Sequence, residues 1–186
     1  LKVSARQHEQ REEWRAAIEL YREAIREGEE SSEATDPYLF SRIGDLEQKA
    51  GDVRAACEAW EQAVVRYGDL GFLNNAIAIC AKILRLDPAR TRIHLELARY
   101  EARKGMFHDA NRDLHAYLER MHREGKDSRA IAGLQSLGAE FPAWRELQTA
   151  LDEIVGGERT PGEQTPETAG RAASNLVFID TGPLTL

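Results

Sequence analysis

At 186 residues the chain is long enough for one domain with a real core. Alanine, leucine, glutamate and arginine dominate, and of six prolines two end helices and three fall in the last thirty residues, which leaves strands almost no candidates. The net charge of −7 divides as −4 over residues 1–36, 0 over 37–90, +1 over 91–144 and −4 over 145–186, and an acidic chain without a lysine or arginine run excludes nucleic acid and anionic membranes as its main partners.

From Val3 to Glu30 the sequence predicts one helix (3–30), with Trp14, Ala17, Ile18, Tyr21, Ala24 and Ile25 on one apolar face. Its first turns are polar all round and are expected to project or fray. Gly28–Asp36 is acidic, small and loop-like, and Asp36-Pro37 caps and opens the next helix. Tyr38–Ala50 follows, with Leu39, Ile43 and Leu46 inward. Gly51-Asp52 then supplies a left-handed stop and a new cap. Val53 to about Leu70 buries Ala56, Trp60, Ala63, Val64 and Tyr67; Gly71 breaks it, and a third helix runs to Leu86 before Asp87-Pro88. The same plan recurs as Ile93–Lys104, Phe107–Glu124 and Ser128–Glu140, stopped by Phe141-Pro142. A last helix, 144–155, carries Leu147, Leu151 and Ile154 and is expected to cap the array.

The recurrence has a fixed shift of 54 residues. It relates Gly51 to Gly105, Ala56 to Ala110, Gly71 to Gly125, Ala76-Ile77-Ala78 to Ala130-Ile131-Ala132, and Pro88 to Pro142. Residues 37–90 and 91–144 are therefore two copies of one three-helix unit, and a constant period is the signature of a stacked array. Such an array buries its core between neighbouring helices and not in a globule.

After Gly156-Gly157 the composition turns to Gly, Pro, Thr and Glu, which cannot offset the entropy of ordering by burial. Residues 156–186 thus read as a disordered, flexible acidic tail. Within it Leu176, Val177, Phe178 and Ile179 form an apolar segment expected to dock on a protein surface, either the array's own groove or a partner. No apolar run approaches a membrane span, and the start lacks the apolar core of a signal peptide, so a cytoplasmic protein is expected. The initial leucine suggests a piece of something longer.

The units resemble tetratricopeptide repeats (TPR), helical pairs with small and large residues at fixed offsets. Ile43-Gly44, Gly51, Ala56, Trp60 and Ala63 carry the resemblance, as do Leu97-Ala98, Gly105, Ala110, Leu114 and Tyr117. Three further stretches resemble the second helix alone: Ala17, Tyr21 and Ala24; Ala76, Cys80, Ile83 and Pro88; Ala130, Leu134, Leu137 and Pro142. Ala56 to Ala76 and Ala110 to Ala130 span only 20 residues, so the middle helix of each unit must serve two motifs. The expected fold is all-α, an irregular TPR-like solenoid of about eight antiparallel helices.

The resemblance implies binding of a protein or peptide segment on the concave face and no reaction, cofactor or metal. Its inner helices would offer Tyr38, Asp45 and Lys49 in the first unit and Arg92, Arg99 and Arg103 in the second. The arginines read either as a solvated face with local ion pairs or as a basic groove for an acidic peptide. Related arrays that grip a chaperone's carboxy-terminal peptide use lysine and asparagine; Asp45 and Arg99 stand where asparagine is wanted, which argues against that use. An interaction scaffold is expected, and the alternative is a secretion, pilus or assembly chaperone, or a regulatory subunit, whose groove holds its own tail. Self-association is a further expectation.

Other constellations carry less. His108, His115 and His122 are seven apart, about 10 Å along a helix, too far to share one ion. Cys57 and Cys80 lie among alanines with nothing basic beside them to favour a thiolate, and read as core filler.

Overall fold

The computed structural model describes residues 1–31 and 35–158, and these are all-α, with no strand among them. The helices are α1 Lys2–Gln10, α2 Trp14–Glu30, α3 Pro37–Lys49, α4 Val53–Asp69, α5 Leu73–Leu86, α6 Thr91–Arg103, α7 Phe107–Arg123, α8 Asp127–Glu140 and α9 Arg145–Glu158. Capping follows the sequence where a short acid is present. Asp36 accepts the Tyr38 amide ahead of Pro37, and Asp52 accepts the Ala55 amide.

Five of the turns are one device repeated. The amides of Glu13, Asp52, Phe72, Met106 and Lys126 each return to the carbonyl five residues earlier, at 2.9 Å. This is the Schellman closure, which needs the preceding residue in the left-handed region. Gly51, Gly71, Gly105 and Gly125 fill that place at φ of 86°, 77°, 75° and 65°; at the first turn Glu12 does so, at φ 60°. An alanine follows five residues after each: Ala17, Ala56, Ala76, Ala110 and Ala130.

Two expectations need correction. The helix expected over 3–30 is two helices, because the Glu12 turn folds α1 back along α2. Ala5, on the stretch expected to fray, is fully buried, and Glu9 accepts hydrogen bonds from Tyr21 and Arg42. There are consequently nine helices among the described residues, in line with the about eight expected. The capping helix expected over 144–155 continues through Gly156-Gly157 to Glu158. The tail beyond it, including Leu176, Val177, Phe178 and Ile179, lies outside the described residues.

Each helix packs against the one before and the one after it, so α4 contacts α3 and α5, and α7 contacts α6 and α8. This is how the middle helix of each unit serves two motifs. Close approach is set by small residues. A Cβ on Gly44 would overlap the Trp60 indole, and one on Gly68 would overlap the Tyr100 ring. Burial of such large rings at small-residue notches is the TPR-like packing on which the backbones approach.

Further contacts skip one helix. Glu9 on α1 meets Arg42 on α3, and Asp45 on α3 meets Lys82 on α5. Glu29 on α2 meets Arg66 on α4, Tyr100 on α6 reaches α4, and Arg103 on α6 meets Glu140 on α8. The Trp144 indole, just before α9, donates to Asn111 on α7 at 2.8 Å. The chain therefore zigzags between an odd row, α1, α3, α5, α7 and α9, and an even row, α2, α4, α6 and α8. Helix direction alternates with it, and the odd helices all begin on one edge.

The core has two parts with α6 between them. Ile93, Leu97 and Tyr100 of α6 join the cluster built on α1 to α5, whereas Ala98 and Ala102 join the cluster of α7, α8 and Trp144.

Candidate binding faces

Tyr38, Arg42, Asp45 and Lys49 recur at offsets of four, three and four, which is one face of α3. Asp36 and Pro37 set where the helix starts and hence where that face points. Tyr38 is exposed. Asp45 is engaged: one of its oxygens accepts from the Trp60 indole at 3.1 Å and from Lys82. Lys82 also lies over the Trp60 ring, 4.9 Å from its centre. Lys49 sits 4.6 Å above the Trp14 ring. Arg42 is held by Glu9, whose carboxyl is raised by burial but brought below its usual range by the hydrogen bonds from Arg42 and Tyr21. The α3 face is thus a row of pairs between α1 and α5, with the Tyr38 ring open at one end.

Arg92, Glu96, Arg99 and Arg103 form the equivalent face of α6. Arg92 is 70% exposed and touches Glu96 only at 3.9 Å. Arg99, 19% exposed, donates to Glu96 at 2.8 Å. Its Nε lies 3.1 Å from the Glu140 carboxylate but points off it, so that buried N–H makes no hydrogen bond. Arg103 donates to the other oxygen of Glu140 at 2.6 Å. Two guanidiniums therefore share one carboxylate from α8, with a third cation about two turns away from the nearer of them.

The two expected half-sites are not brought together. The unit has three helices, so α3 and its copy α6 fall in opposite rows. Tyr38, Asp45 and Lys49 face one side of the array and Arg92, Arg99 and Arg103 the other. The charge pattern also inverts under the 54-residue shift: Asp45 becomes Arg99, and the bridge from the first helix to the third runs acid to base in one copy and base to acid in the other.

Sequence reasoning missed a buried ionic cluster between α6 and α7. Glu101 is 4% exposed, and one of its oxygens has no hydrogen-bond partner. Asp113 faces it, 3.3 Å from His94 Nδ1 and 3.0 Å from Arg112. Burial first, then the Asp113 charge, raises the Glu101 carboxyl to about 7. Burial raises Asp113 too, but hydrogen bonds from His94 and Arg112 overcome this and hold it below the usual carboxylate range. The available signal was the seven-residue spacing of His94 and Glu101 on the face that carries Leu97 and Ala98.

His108, His115 and His122 are all exposed, and among the described residues no three potential ligands gather to hold a metal. Cys57 and Cys80 are fully buried thiols. Burial pushes both up, Cys80 further, with Glu96, Glu101 and Asp113 adding to the effect there. No helix among the described residues is long and apolar enough to cross a membrane.

No family model and no curated protein matches the sequence. Among solved structures the chain is similar to MamA, at 12% identity over 83% of this chain and 94% of that one, with a TM-score of 0.40. A second MamA structure, from AMB-1, is 12% identical over 76% and 90% with a TM-score of 0.32. TTC0263, a thermophilic TPR protein in Thermus thermophilus, is 18% identical over 83% and 96% with a TM-score of 0.29.

Proposed function

We propose that the chain is a non-catalytic interaction scaffold that binds a peptide or protein segment on the outward faces of its helix rows, and that the α6 face takes an acidic segment. The observation that carries this reading is the arginine set. Arg99 and Arg103 share the single carboxylate of Glu140, and Arg92 stands open on the same face at 70% exposure. A carboxylate from a partner would complete the donor set, and charge-assisted bonds to planar guanidinium are among the stronger polar contacts a surface can make. The α3 face, with its exposed Tyr38, its Lys49 and the Lys82 that reaches it from α5, supports a second contact on the other side. The working environment we infer is the cytoplasm.

Affinity capture tests this. The full chain and its Arg92→Glu/Arg99→Glu variant are used as baits at low and high salt. The expected result is a partner held by the parent, weakened by salt and lost with the variant. A variant that retains the same partner removes the α6 face from the reading.

A further inference from the structure

The charged faces lie on the sides of the array, and a different surface runs along the edge where the odd helices begin. Val3 opens α1, Tyr38 opens α3, Leu70 and Phe72 form the α4–α5 turn, and Met106 and Phe107 form the α6–α7 turn. All six are exposed. Leu1 precedes α1 on the same edge, and of the large apolar side chains described only Val53 and Val65 are exposed away from it. Contacts place these ends together: Arg66 near the end of α4 meets Glu29 at the end of α2 and covers the Phe40 ring at the start of α3, and the Phe107 and Trp144 rings lie 5.8 Å apart.

We infer that Leu176–Ile179 of the same chain seats on the Met106–Phe107 turn, with Asp180 set against Lys104. Three observations select this seat. The segment is four consecutive large apolar residues followed directly by an acid. Of the two inter-helix turns that carry exposed apolar pairs, the α6–α7 turn has Lys104 just before it, whereas the Leu70–Phe72 turn carries Asp69, which repels Asp180; the other cation beside exposed apolar side chains, Lys2 with Leu1 and Val3, lies at the α1 end of the array, the far end from α9. Reach also fits. α9 starts on this edge beside Phe107 and, with 14 residues, ends about 21 Å away on the opposite one. The connecting residues 159–175 are rich in Gly, Pro, Thr and Glu, and seventeen of them as a random coil have a root-mean-square span on the order of 23 Å. A span of that order covers the distance back to the Phe107 end of the array. The sequence alone offered the array's own groove or a partner as its dock; the edge adds an exposed apolar surface within the same chain.

Amide hydrogen exchange on the full chain tests the seat. The amides of Leu176–Asp180 are expected to exchange at least about tenfold more slowly than random coil, at a rate independent of protein concentration. Met106→Asp places a favourable residue at the N-cap of α7, so it leaves the helix intact while charging the seat. This variant, and separately Phe178→Asp, should return the segment to random-coil exchange with protection in α1 to α5 unchanged. Random-coil rates in the parent overturn the proposal. So does protection that grows with protein concentration, which would mean a second copy, and so does protection that survives Met106→Asp, which would mean another seat. None of these outcomes depends on whether the α6 face binds an acidic partner.

Discussion

A carboxyl at 4% exposure beside a second acid makes the contribution of Glu101 to stability depend on its protonation. Its folded value of about 7 lies above the ordinary 4.5, so between those values the folded chain binds more protons than the unfolded one. Its contribution is fully present below about pH 4.5 and is lost as pH rises through about 7. With one pKa unit equal to about 1.4 kcal/mol, the loss is on the order of 3 kcal/mol. Asp113 runs the other way, its contribution present above its unfolded value and lost only as pH falls through its lower folded value. Glu101→Gln should therefore flatten the rise of urea midpoint between pH 7.5 and 5; an unchanged slope in the variant would assign the dependence elsewhere. Glu12 offers a second case. A β-carbon at φ 60° costs about 1 to 3 kcal/mol, and glycine holds that conformation freely. Glu12→Gly should raise stability by about 0.5 to 1 kcal/mol, the gain being trimmed by the flexibility glycine adds to the unfolded chain. Glu12 was not legible beforehand, because a glutamate in a polar stretch looks like surface; for Glu101 the spacing from His94 on the Leu97 face hinted at an inward place, but its burial against Asp113 is decided by α7.

For elements, the turns were the legible part. Four glycines followed by alanine at a fixed offset announce four helix ends, and only the turn whose left-handed place is taken by Glu12 escaped, which is why α1 and α2 read as one helix. The notches that hold the helices together were legible as residue types but not as partners. Gly44→Ala tests one. Helix propensity favours alanine by about 1 kcal/mol, yet the added carbon overlaps a fully buried indole pinned by Ser41 and Asp45. Overpacking of this kind costs about 1 to 3 kcal/mol, so a net loss is expected on chemical unfolding. Ala76→Leu, at a fully buried site on α5, should lose a similar amount, and parent-like melting of both variants would contradict the packing described here.

Across the whole molecule, the candidate faces were legible by residue and illegible by side. Charge spacing named Arg92, Arg99 and Arg103, but their engagement with Glu140 depends on α8 lying beside α6. Glu140→Gln should leave Arg99 and Arg103 short of a counterion and tighten an acidic ligand several-fold at low salt, with the gain fading as salt approaches about 0.5 M; a weaker ligand would mean that Glu140 organises the site and does not compete for it. Three is an odd number, and this has a consequence for any chain made by copying such a unit. Each copy starts in the other row and runs in the other direction, so two successive copies are related more nearly by a half-turn than by a step along an axis. Residues 54 apart present equivalent positions to opposite sides, pointing opposite ways. Duplication of an even-helix unit lengthens one groove, whereas duplication here yields a molecule that shows its equivalent positions on two opposite fronts.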